Sequence, residues 1–147
     1  MHTAGLIIRW NISGHAPWSN GYESLIYIAW ATSLSGLIFV WRSEITLSVT
    51  ALLSSLILAV AGMSWMDPEI TNLVPVLKSY WLIIHVAIIT ASYGFLALGA
   101  LLGFLNLVIM ILMGRKNYKR LDLTVTELNY IIEMTLVIGL FMLTIGT

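Results

Sequence analysis

The sequence predicts an all-α protein, a polytopic transmembrane helical bundle of about four spans with a short interfacial helix. Hydrophobic residues make up 59% of the chain and charged residues 10%. Mean hydropathy reaches +0.94, and uncharged runs long enough to cross a bilayer recur along the chain. Lipid is therefore the expected solvent. Formal net charge is zero, so no basic surplus is available to neutralise phosphates and no nucleic-acid partner is expected. Cysteine is absent, which excludes disulfides, a thiolate metal site and any cofactor joined to this chain through sulfur.

Residues 3–12 are too short for a span and contain Arg9, so they read as the end of a helix that begins earlier; no cleavable signal pattern is evident. In GHAPWSNGYES, Gly14 and Pro17 mark a turn, and Ser19 or Asn20 can cap the helix that follows. The first span covers 22–41. Its one charge, Glu23, falls in the first turn, where the helix dipole favours a carboxylate and a structural role suffices. The second span, 45–66, carries no charge, and its Ser and Thr residues can bond back to their own helix or across to a neighbour.

Asp67-Pro68-Glu69 interrupts the apolar pattern with a capping residue and a first-turn proline, so 67–79 reads as a short interfacial connection. An uncharged run of 36 residues between Lys78 and Arg115 then gives the third span, 80–113. That is far more than the ~20 residues a crossing needs. GRKNYKR at 114–120 places four cations in a few residues, and a last span follows at 128–147. The positive-inside rule sets 114–120 and Arg42 in the cytoplasm, leaving 1–21 and 64–80 outside, with Arg9 in minor dissent. The chain reads as one transmembrane domain over 1–147, a piece of a larger protein.

Histidines occur at 2, 15 and 85, none with a second histidine at the spacing of a zinc pair, so a hydrolytic metal site is unsupported. Counting outward from the basic run, 20 to 25 residues of helix exhaust the hydrocarbon near 89–94, which leaves His85 at the outer interface. Two readings stand there. His85 is an interfacial polar residue satisfied by water or a carbonyl, or it is an axial iron ligand with Trp81, one turn earlier on the same face, packed on a porphyrin. His15 reads as a loop residue shaping a helix entrance. Glu133, about two turns into the last span, is a functional candidate or an inner-interface residue. Gly99-x-x-x-Gly103 with Ala100 offers a strip for close helix packing. The tryptophans at 10, 18, 41, 65 and 81 fall near span ends as anchors, with Trp30 alone in mid-span.

RWNISGHAPWSNGYESLIYIAW, followed by PVLKSYWLIIHVAIITASYGFLALGALL, closely resembles the cytochrome c assembly protein family of CcsA or ResC type. The likeness extends over essentially the whole chain. The closing LNYIIEMTLVIGLFMLTIGT is similar to the helix leading into that family's tryptophan-rich haem-binding segment. The resemblance implies a haem-handling membrane protein of the System II pathway in the bacterial cytoplasmic membrane. Such a protein presents non-covalently held haem outside for attachment to the C-x-x-C-H motif of apocytochrome c. It implies that His85 is an external axial ligand of the haem iron with Trp81 beside it, and that another biogenesis subunit or a fused domain is the partner. The W-G-x-x-W-x-W-D signature and a second external histidine are absent from these residues, so this stretch is expected to be inactive alone within a cytochrome c synthase system. A b-type cytochrome subunit would require histidines facing each other within the membrane, and spans one, two and four have none. A transporter or structural bundle is the remaining alternative, with Glu133 its one intramembrane candidate.

Overall fold

The computed structural model describes residues 1–63, 65–70, 79–113 and 119–147. These form α1 (His2–Ser13), α2 (Gly21–Phe39), α3 (Glu44–Ala61), α4 (Tyr80–Met113) and α5 (Lys119–Gly146). Among the described residues, three helices are long and apolar enough to cross a membrane: Glu44–Ala61, Tyr80–Leu112 and Leu123–Gly146. In α2, Tyr22, Glu23, Ser24, Tyr27, Thr32, Ser33 and Ser35 dilute the aliphatic residues of a 19-residue helix, and it is not among the three.

The bounds follow local chemistry. Asn20 caps α2, its side chain accepting the Glu23 N–H at 2.8 Å, while a turn at 40–43 closes with Arg42 N–H donating to Phe39 O. Helix α3 stops at Ala61, short of the expected residue 66, because Gly62 and Met63 turn back on Leu58 and Val60. Helix α5 starts at Lys119, well before 128, since charged residues end the hydrocarbon-compatible stretch without ending a helix. Residues 67–70 are not helical. The expected interfacial helix beyond them and the basic run at 114–118 lie outside the described residues.

Packing sets direction and register. Helices α4 and α5 run antiparallel: Asn106 Nδ2 donates to Asn129 Oδ1 at 2.7 Å, and a Cβ added at Gly99 would meet Leu136 and Thr135, one at Gly139 Leu96, and one at Gly146 Ile89. Helix α2 pairs antiparallel with α3, with the Ser33 and Ser54 hydroxyls 2.9 Å apart and Ser54 also bonding to Ala29 O. Helices α2 and α4 run parallel. A Cβ on Gly94 would lie 3.0 Å from Thr32 N, and counting back equally along both helices brings Glu23 level with His85. The core where these helices meet holds Phe39, Val49, Leu98, Leu102, Leu128 and Ile131. The strip expected at Gly99 and Gly103 is half used, since a Cβ at Gly103 would meet nothing.

Candidate haem-ligand site

Helix α4 opens with Ile83 N–H donating to Ser79 O, and α5 packs beside it at Ile88 and Ile89. Near that contact the side chains of Trp81, Leu82, Ile84, His85 and Ile88, joined by Ile145 of α5, line a cavity of about 320 Å³. Trp81, His85 and Ile88 recur at helical spacing, so one face of α4 supplies an indole, an imidazole and an aliphatic floor. Trp81 is 83% exposed, while His85 is half-buried.

Among the described residues, none hydrogen-bonds the His85 ring. Its nitrogens are therefore uncommitted to those residues, in a wall otherwise apolar. An imidazole beside apolar walls and an indole fits a ligand of haem iron; it does not fit a hydrolytic metal centre, and no cluster of three acidic, histidine or cysteine ligands occurs among the described residues. The two residues picked from spacing thus share one cavity. Ile145 was missed, because its approach depends on the register of α5 against α4 and leaves no local signal.

A second polar cluster stands at the same level on α2. Glu23, only 1% exposed, accepts Arg9 Nε at 2.9 Å and both the backbone N–H and the hydroxyl of Ser19. Arg9 also donates Nη2 to Pro68 O at 3.0 Å and lies 5.1 Å from the Tyr22 ring centroid. Arg9, the outlier of the charge map, is thereby neutralised within the fold. His15 sits apart from His85 in the 14–20 turn, its Nδ1 3.2 Å from Ala16 O, with Ser13 Oγ donating to its carbonyl. Arg42 lies 5.3 Å from the Tyr130 ring centroid, which sets Tyr130 level with the α2–α3 turn. Glu133, exposed, is less than one turn further on.

Fold and site define an integral membrane helix bundle that carries one apolar-walled imidazole at a helix start. The chain belongs to the cytochrome c assembly protein family, whose sequence profile matches residues 18–147. It is 47% identical to Protein NrfI of Wolinella succinogenes over 146 residues, 99% of this chain and 16% of that protein. It is 41% identical to the cytochrome c biogenesis protein CcsA of Prochlorococcus marinus over 108 residues, 69% of this chain and 34% of the relative. The CcsA of Synechococcus sp. strain CC9605 is 40% identical over 112 residues. The chain spans roughly a sixth to a third of the length of these relatives.

Proposed function

We propose that this segment holds haem through His85 on the extracytoplasmic side of a bacterial cytoplasmic membrane and presents it for covalent attachment to apocytochrome c. The observation that carries the reading is the half-buried imidazole, unbonded among the described residues, in one cavity with Trp81, Ile88 and Ile145. The His85 imidazole would offer a ring nitrogen to iron, and the apolar walls would limit the water competing for that position. Trp81 would flank a bound macrocycle, and Ile88 and Ile145 would supply an apolar floor beneath it. When bound, haem supplies the vinyl groups that join the thiols of the acceptor; the protein supplies ligation and orientation. The remainder of the biogenesis protein, or a partner subunit, would supply any further ligand and the acceptor surface.

The test is the absorption spectrum of the full-length protein at known concentration, wild type beside His85→Ala, with added imidazole. The variant is expected to lose most of its Soret intensity, to regain it with imidazole, and to insert in the membrane normally, because insertion depends on the spans. A Soret band of unchanged position and intensity in His85→Ala sinks the assignment.

A further inference from the structure

We propose that a cavity between α1 and the start of α2 binds a phospholipid, with its phosphodiester at Arg9 and Tyr22 and one acyl chain running along α1 toward Gly5. The cavity measures about 370 Å³ and is walled by Leu6, Ile8 and Ile12 of α1, Tyr22 and Ile26 of α2, and Ile70 of the connection that follows α3. Arg9 lines it as well, whereas its partner Glu23 does not. The two ends of the cavity differ in chemistry, and that difference selects the ligand.

At one end the fold leaves two hydrogen-bond donors open. Arg9 commits Nε to Glu23 and Nη2 to the Pro68 carbonyl. Its Nη1 and the hydroxyl of Tyr22 bond none of the described residues, and neither atom is sealed from the surface. Glu23 is buried behind the guanidinium, so the ion pair turns its positive side to the cavity. A guanidinium edge beside a hydroxyl suits phosphate oxygens, which accept strong, directional hydrogen bonds from arginine. Glu23 balances the formal charge, so the site recognises the phosphodiester by hydrogen bonding and not by net charge.

Toward the other end the walls are apolar. Helix α1 runs antiparallel to α2, with Thr3 Oγ1 accepting from Trp30 Nε1 at 3.0 Å and Arg9 meeting Glu23 nearer the start of α2. Moving from Arg9 to Gly5 therefore descends about 6 Å along α2, past Leu6 and Ile26. A Cβ built on Gly5 would meet nothing within 4 Å, which leaves room there for a hydrocarbon chain. His2 closes the far end, and its Nε2 is buried out of a ligand's reach. The rim identifies the medium that supplies the ligand. Ile8, Ile12 and neighbouring Trp10 are all exposed, and aliphatic side chains left bare beside an indole belong to the membrane boundary, not to bulk water. A phosphate carrying an acyl chain matches a polar end at that boundary and an apolar end below it.

The full-length protein, delipidated in detergent, is titrated with phosphatidylcholine or with diacylglycerol of the same chains, and bound lipid is counted by native mass spectrometry. Comparing variant with wild type separates this cavity from lipid held elsewhere. Tyr22→Phe is expected to weaken phosphatidylcholine binding at one site about 5-fold, the scale of one hydrogen bond. Arg9→Lys, which keeps a charge opposite Glu23 but loses the guanidinium fork, is expected to weaken it about 10-fold. Neither change is expected to alter diacylglycerol binding. Gly5→Leu, which fills the apolar end from an exposed position and favours the helix, is expected to remove one bound phosphatidylcholine, with circular dichroism and elution volume unchanged. Equal phosphatidylcholine binding by wild type and Tyr22→Phe overturns the proposal, as does full occupancy in a folded Gly5→Leu variant. Displacement of the lipid by an equal concentration of glycerol phosphate overturns it too, by making the cavity a site for free phosphate.

Discussion

Glu23 shows at the scale of one residue why an ionisable group survives beside hydrocarbon. Its carboxylate is fully enclosed yet bonded to Arg9 and to two donors of Ser19, so almost no charge is left unmatched. Removing one partner from such a pair leaves the other buried and unmatched. Glu23→Ala is expected to cost about 3–5 kcal/mol of unfolding free energy, with Arg9→Ala nearly as costly. The double variant is expected to lose much less than the sum, measured as a coupling energy by reversible unfolding in mixed micelles. Additive losses would show that the pair contributes nothing of its own. The sequence points to the carboxylate through its place in a first helical turn, but not to its partner. Arg9 is fourteen positions away across a turn, and only the antiparallel return of α1 along α2 brings the two charges together.

Among the elements, approach distance is set by glycines, and the structure separates those that matter. A Cβ at Gly94 would sit 3.0 Å from Thr32 N and 3.2 Å from Ala31 Cβ, backbone and packed methyl that cannot swing aside. Gly94→Ala is expected to push α2 from α4 and lower stability by about 1–3 kcal/mol. At Gly103, where the same Cβ meets nothing, alanine is expected to be neutral or to stabilise by up to about 1 kcal/mol through helix propensity. Thermal unfolding of the two variants in one detergent checks the contrast, and equal melting temperatures would refute it. The sequence motif named Gly99 and Gly103 because spacing alone marks a strip; which face of α4 meets a helix is a tertiary fact. Helix α4 itself was legible to the residue, its 80–113 run bounded by polar residues at both ends. The bounds of α3 and α5 were not, since hydropathy reports where lipid is tolerated, whereas α3 ends in the turn at Gly62 and Met63 and α5 takes charged residues into its first turns. His85 and Trp81 were found together because a separation of four residues is itself a structural statement. Ile145, from the other helix, carried no such mark.

For the whole molecule, the proposed function turns on which end of the bundle faces away from the cytoplasm. His85, Trp81 and the Arg9–Glu23 pair share one end by the parallel register of α2 and α4, and Arg42 stands at the other, against Tyr130. Arg115 and Lys116 follow α4 in the sequence and Lys119 and Arg120 open α5, so the cations concentrate away from His85. On the proposed function, the positive-inside rule would keep the cation-rich end in the cytoplasm and put the His85 end outside, where a ligand presenting haem to an exported acceptor must stand. This chain has no cysteine, so a single introduced thiol reports one position once cysteines elsewhere in the full-length protein are replaced. Trp81→Cys, at a position 83% exposed, is expected to react with a membrane-impermeant maleimide in intact cells. Arg42→Cys is expected to react only after the membrane is opened. The reverse pattern would put His85 in the cytoplasm and remove any role in presenting haem outside, even if the Soret band of the purified protein still depended on His85.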